Sequence, residues 1–295
     1  MINPLLSLCI PTYNRCEVLE ETLHTLFSNP EFDADLIEVI VSDNCSTDDT
    51  PRIVAKYPLV KYYCNQENVR DSNFYIALGY ATGSYVRLFN DTLSFKPKAL
   101  GLMLQRIKSE LGQNKNVFFY ENMFLNTNCH KEVDSADHYI KEVSYYTTWI
   151  ANFGAWREDF INIAEKDKYA ALQFTQVDWS YKIVRNGKST KIYFDELFSV
   201  ITPNKKGGYN VFDTFVNKYL FVIKQEGLSF LTYELEKYRL CKYFVYPWLI
   251  KLFITDSSTY SFELKGAFKI IFLKYWYAPY LYMMLLLFWF RKLKK

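Results

Sequence analysis

The stretch LIEVIVSDNCSTDDT, residues 36–50, decides the fold. Its first seven residues are mostly Leu, Ile and Val, which predicts a buried β-strand. SDNCSTDD then packs acidic, amide and hydroxyl side chains into eight positions. Ser46 and Asp49 have the S-x-x-D spacing of a capping box, so a helix is expected to begin there. The order is strand, polar loop, helix. Asp43 and Asn44 are open to two readings, a plain Asx turn or a ligand contact. Asp48 and Asp49 fall in the first helical turn, where carboxylates favour the positive end of the helix dipole, so a structural role is expected of them.

The same order recurs on both sides. LLSLCI (5–10) predicts a strand that stops at Pro11. Val18, Leu19, Thr22, Leu23, Leu26 and Phe27 follow at helical spacing. VKYYCN (60–65) predicts a third strand, and Asp71 or Ser72 can cap the helix that carries Phe74, Ala77, Leu78 and Ala81. YVRLF (85–89) predicts a fourth strand, with a helix after Pro97. Strands alternating with helices imply βαβ units and a mostly parallel sheet. Such sheets bind ligands at the carboxyl ends of their strands. The polar clusters PTYNR (11–15), SDNCSTDD (42–49), NQENVRDSN (65–73) and NDT (90–92) all fall at those ends. Each alone is an ordinary turn; four on one rim predict a binding site.

Bulk properties narrow the class. The 295 residues suffice for one large or two modest domains. A net charge of +3 is too slight to argue for nucleic acid. Aromatic residues reach 19%, which suits either an aromatic core or wet-edged grooves and membrane interfaces. The six cysteines form no C-x-x-C pair and predict reduced thiols rather than a zinc site. The three histidines have no metal or triad spacing. No G-x-G-x-x-G or Walker sequence occurs. The start of the chain lacks the pattern of a signal peptide, so a cytoplasmic location is expected.

Four segments, LSLCIPTYNRCEVLEETLHTL, EVIVSDNCSTDDT, NQENVRDSNFYIALGYATGSYVRLFNDT and KPKAL, appear in the order and spacing of a known family. Over roughly residues 5–105 the chain resembles glycosyltransferase family 2, inverting nucleotide-sugar transferases with the A-type fold. The resemblance implies that Pro11, Thr12, Tyr13 and Asn14 hold the base and ribose, and that Asp43 accepts a hydrogen bond from the base. It places Asn44, Asn68, Asn73, Asn90 and Asp91 near the donor. The family's D-x-D element is altered here: Asp91 and Thr92 are present, but Leu93 stands where the last carboxylate binds a metal. Mg²⁺ and Mn²⁺ want hard oxygen ligands, which leucine lacks. Three readings stay open. A metal is held by Asp91 with water and phosphate, side-chain cations neutralise the diphosphate, or activity has been lost. Lys205 and Lys206 in NKKGGYN, beside two glycines, are candidate diphosphate contacts, and Arg70 sits where the family commonly has glycine. Inverting transfer needs a base. Asp178 is the acid between Asp167 and Asp195 and is the candidate, although one register leaves Gln176 at that position. Trp179 is read as a sugar platform or a core residue.

From Lys237 onward eleven Lys/Arg accompany two acids. WYAPYLYMMLLLFWF (276–290) is shorter than the ~20 apolar residues of a spanning helix. A segment lying on an anionic membrane surface is expected. The expected architecture is α/β: a Rossmann-like mixed sheet flanked by helices over 1–205, then a helical aromatic and basic region over 206–295. Within the first part the nucleotide-binding half covers about 1–110 and the acceptor half about 111–205. The expected function is transfer of a sugar from a UDP-sugar to a saccharide or polyprenyl-diphosphate-linked saccharide, in bacterial capsule or O-antigen synthesis at the inner face of the plasma membrane. The alternatives are transfer of another group from a nucleotide donor, or a non-catalytic scaffold with a degenerate D-x-D.

Overall fold

A computed structural model describes residues 3–121, 129–201, 206–255 and 260–293. Strand β1 (Leu6–Thr12), helix α1 (Cys16–Phe27), β2 (Ile37–Asp43), α2 (Thr50–Val54), β3 (Val60–Cys64), α3 (Asn73–Gly79) and β4 (Tyr85–Leu88) follow in the predicted alternation. β1 runs past Pro11 to Thr12. Pro11 lacks an N–H, but pairing of β1 with β4 ends at Cys9 and Leu88, so no ladder bond is lost on that side. α1 buries Leu19, Thr22, Leu23 and Leu26, one stripe at helical spacing. The start predicted at Ser46 is corrected. α2 begins at Thr50, with Pro51 in its first turn, because the Ser46 hydroxyl is taken by the Asn14 N–H at 2.9 Å. Asp48 accepts from Cys16 N at 2.9 Å and from the Thr50 hydroxyl at 2.6 Å, which supports the structural role expected of it.

The chain continues through β5 (Leu93–Phe95), α4 (Ala99–Glu110), β6 (Lys115–Glu121), β7 (Cys129–Val133), α5 (Ala136–Val143), β8 (Gly154–Trp156), α6 (Arg157–Ile161), α7 (Thr175–Val184), β9 (Ser189–Asp195) and β10 (Phe198–Val200). The main sheet has the order β3-β2-β1-β4-β8. Its first four strands are parallel and β8 is antiparallel. A second sheet, β6-β9-β7, and the pair β10-β5 complete this part. Buried Arg87 links the sheets: its guanidinium donates to the carbonyls of Phe119 and Ala151 and lies 5.2 Å from the Phe198 ring centroid.

Beyond residue 205, β11 (Lys206–Gly207) pairs with β12 (Tyr260–Ser261). The helices are α8 (Leu220–Gln225), α9 (Phe230–Leu240), α10 (Tyr246–Ile250), α11 (Ala267–Tyr275) and α12 (Pro279–Leu293), with π-type turns at Asp213–Tyr219, Cys241–Val245 and Lys251–Thr255. They have no separate core. Tyr219, Leu240, Leu249, Tyr275 and Phe288 belong to one buried cluster with Leu88, Phe118, Tyr139 and Trp179. α12 buries Leu281, Met284 and Phe288, while Met283, Leu286, Leu287, Trp289 and Phe290 on the same helix stay exposed.

Glu236 is the deepest acid of the helical region. Its carboxylate accepts from the Ser144 hydroxyl at 2.8 Å and the Tyr219 hydroxyl at 2.9 Å. Burial nevertheless raises its pKa to about 7 from 4.5. Between those values the folded protein binds the proton that the unfolded chain has released, so stability falls as pH rises. Wild-type stability to urea should fall relative to Glu236→Gln by roughly 3 kcal/mol across that window. Parallel curves for the two proteins would exclude the effect.

Candidate functional site

The sheet order reverses direction between β1 and β4, and a crevice forms at such a point. The carboxyl ends of the parallel strands open there onto a cavity of about 760 Å³. Pro11, Thr12, Tyr13 and Arg15 enter from the loop after β1, Asn44 from that after β2, and Asn90 and Asp91 from that after β4. The loop after β3 adds Asn68, Arg70, Asp71 and Asn73. Trp149 and Gln173 form the far wall, and Tyr209 and Lys218 close it from the helical region. A cavity of about 450 Å³ near Asn3, Thr82 and Trp156 lies at the amino ends of β1 and β4, the wrong end of the sheet for a ligand crevice.

Asp91 is the anchor of the site and is 3% exposed. Its Oδ2 accepts from the Thr12 hydroxyl at 2.9 Å, and its Oδ1 pairs with Arg15 Nη1 at 3.0 Å. Its carbonyl accepts from Thr22 at 2.9 Å. Burial raises the Asp91 pKa, with Arg15 and Thr12 pulling against it. An amide network fixes the next loops. Asn44 Nδ2 donates to Asn68 Oδ1 at 2.8 Å and Asn44 Oδ1 accepts from Val69 N at 2.9 Å. Asn73 is locked in a mutual bond with Ser42, donating to its carbonyl at 2.8 Å and accepting from its hydroxyl at 2.6 Å. Arg70 has φ of +53°, and its side chain is exposed at the cavity. The pKa of Asp71 beside it is raised to about 6 by burial, opposed by Lys218 and then Arg70.

Several expected residues sit elsewhere. Asp43 is wholly buried behind the cavity wall, where it accepts from Ser46 N at 2.9 Å and the Tyr62 hydroxyl at 2.6 Å. It braces the loop rather than facing the cavity. Asn14 accepts from Thr47 N at 2.7 Å and ties the first loop to the second. Thr92 does not line the cavity; its carbonyl accepts from Ile201 N at 2.8 Å. Asp178 is buried in α7, 2.9 Å from Lys182, and is not among the residues that line the cavity. Trp179 is a core residue whose indole donates to the Lys166 carbonyl at 2.8 Å. Gln176 lies one layer behind the wall, its amide donating to the Thr148 carbonyl at 2.6 Å. Lys205 lies outside the described residues, and so does the side chain of Lys206. Trp149, Tyr209 and Lys218 line the cavity although no motif in the sequence singles them out, whereas Arg15 and Asp71 lie within the PTYNR and NQENVRDSN clusters.

Residues 7–128 match the model of glycosyl transferase family 2. The abequosyltransferase RfbV of Salmonella typhimurium is 34% identical over 113 residues, 36% of this chain and 33% of that protein. A GalNAc(5)-diNAcBac-PP-undecaprenol beta-1,3-glucosyltransferase of Campylobacter jejuni is 31% identical over 109 residues, 35% of this chain and 34% of its own. The chain thus spans about a third of the length of these relatives. Residues 1–349 of S. aureus TarS superpose with a TM-score of 0.57 at 18% identity, covering 85% of this chain and 76% of that one. The mannosyltransferase PcManGT of Pyrobaculum calidifontis, solved with GDP-Man and Mn²⁺, gives 0.52 at 17% identity, covering 76% and 65%. The fold is the A-type glycosyltransferase fold.

Removing the Asp91 carboxylate leaves the buried Thr12 hydroxyl unpaired and frees Arg15. Asp91→Ala should cost about 1–3 kcal/mol in urea unfolding. Asp91→Asn should cost less, since an amide oxygen still accepts from Thr12. Equal stability of Asp91→Ala and wild type would show that the clasp contributes nothing.

Proposed function

We propose that the chain is an inverting glycosyltransferase that moves a sugar from a nucleotide-sugar donor, a UDP-sugar, to a saccharide or polyprenyl-diphosphate-linked saccharide in bacterial surface-polysaccharide synthesis. The observation that carries this is the cavity at the β1/β4 crossing, walled by the loops of a family 2 domain. Two relatives are named for related chemistry, one an abequosyltransferase and one a glucosyltransferase named for an undecaprenol-linked saccharide. S. aureus TarS has been solved with UDP-GlcNAc. In this reading Tyr13, Asn44 and Asn68 bind the nucleoside, and Trp149 offers a flat face to a sugar.

Inversion needs a carboxylate within reach of the acceptor hydroxyl. Among the described residues the carboxylates lining the cavity are Asp71 and Asp91, and Asp91 is ion-paired. We assign proton acceptance to Asp71, whose pKa of about 6 leaves it ionised but basic near neutrality. The test is nucleoside-diphosphate release from a panel of nucleotide sugars with a lipid-linked acceptor. Asp71→Asn should lower kcat by about 10²–10⁴, and the wild-type rate should fall below about pH 6. Asp178→Asn should keep turnover. Full activity of Asp71→Asn would remove its role, and no release from any donor would favour a non-catalytic scaffold.

The helical region supports attachment to an anionic membrane surface. Its exposed Trp276, Met283, Leu286, Trp289 and Phe290 accompany the cationic excess that follows Lys237. Among the described residues no helix is long and apolar enough to cross a membrane. The protein should sediment with vesicles containing anionic lipid and less with neutral ones. Trp289→Ser with Phe290→Ser should weaken binding about tenfold or more. Binding unchanged by these substitutions, or a dimer that buries the same face in light scattering, would refute attachment here.

A further inference from the structure

We infer that this site holds the nucleoside diphosphate with three side-chain cations, Arg15, Arg70 and Lys218, and takes no divalent metal. The inference rests on the donor-binding reading above and adds how the diphosphate charge is met. Three observations carry it.

The first concerns Asp91, the carboxylate at the end of β4. Arg15 occupies its Oδ1 and Thr12 its Oδ2. A metal there would have to displace a protein cation from a carboxylate that is itself almost wholly buried.

The second concerns Leu93, which stands where the family places a second acid. It is 1% exposed in β5 and packs with Phe89, Leu100 and Phe198. Neither its chemistry nor its position supplies a ligand. Among the described residues no group of three or more His, Cys, Asp or Glu could hold a metal ion. Hard divalent cations need several oxygen ligands, so this donor set does not fit one.

The third is the supply of positive charge. The Arg15 side chain is 52% exposed at the cavity and pairs with Asp91 through Nη1. A guanidinium has five N–H donors, so it can bridge that carboxylate and a phosphate together. Arg70 holds a left-handed backbone where the family commonly has glycine. That conformation costs a side-chain-bearing residue about 1 kcal/mol, and such strain concentrates at ligand contacts. Lys218 reaches the same cavity from the helical region, and its ion-pair partner Asp213 is a loose 3.9 Å away. The three cations come from three separate parts of the chain, so a diphosphate held by all of them would join both halves of the site.

The experiment is calorimetric titration of UDP and GDP into the full chain at fixed ionic strength, with EDTA and separately with MnCl₂. We expect the better nucleotide to bind with Kd values within about twofold in the two buffers, because protein cations rather than a metal meet the charge. Arg15→Gln and Lys218→Gln should each weaken binding about tenfold, the scale of one charge-assisted hydrogen bond. Arg15→Lys should recover part of the loss. Lys218→Gln leaves the Asp91 clasp intact, so its effect cannot be ascribed to misfolding of that loop. Binding that requires Mn²⁺, or is tightened by it about tenfold or more, overturns this inference and leaves the donor reading standing. Wild-type affinity in Lys218→Gln and Arg15→Gln also overturns it. Failure of both nucleotides to bind in either buffer overturns both readings.

Discussion

A single buried carboxylate holds the cavity-bearing end of this molecule together. The loops after β1 and β4 leave the sheet in diverging directions, which is why a crevice exists between them. Asp91 spans that divergence, gripping Thr12 and Arg15 through its side chain and Thr22 through its carbonyl. The second and third loops are then pinned by the amides of Asn44, Asn65, Asn68 and Asn73. Each partner is polar and most are buried, so the arrangement is stable only when nearly every bond is made. The rim is accordingly built stiff before any ligand arrives, which lowers the ordering cost of binding.

This division between bracing and binding explains what the sequence made legible. Strand identity, strand order and the location of the rim follow from hydrophobic runs punctuated by polar loops, and those signals are local. Which side chain of a polar loop turns outward is not local. Asp43 and Asn44 are neighbours with similar hydrogen-bonding capacity, yet the Tyr62 hydroxyl draws Asp43 inward while Asn44 lines the cavity. Asp178 stands out in sequence as the acid of its stretch, but α7 buries it beside Lys182. Lys218 lies in a π-helical segment more than a hundred residues beyond the rim loops, and no spacing rule joins it to them.

The second sheet and the helical region are less transparent for a related reason. Their interiors are filled by large aromatic side chains packed edge to face, such as Phe119 of the second sheet against Tyr85 and Trp248 of the helical region against Phe262. Such clusters leave little period in the sequence. Arg87 is the extreme case: an arginine within the predicted strand YVRLF is sealed between two sheets, and burial lowers its pKa to about 10. A charge there is tolerable because carbonyls of Phe119 and Ala151 accept its protons.

The shared core of the two halves has a further consequence. Glu236 is bonded to Ser144, and the Tyr145 hydroxyl to the carbonyl of Tyr243, so the helices complete the interior of the α/β part. The chain is therefore not modular. Cutting it after the rim would strip the cover from Tyr139, Trp179 and their neighbours. Whatever surface α12 rests on, the bond between that surface and the binding crevice is one of common folding rather than tethering.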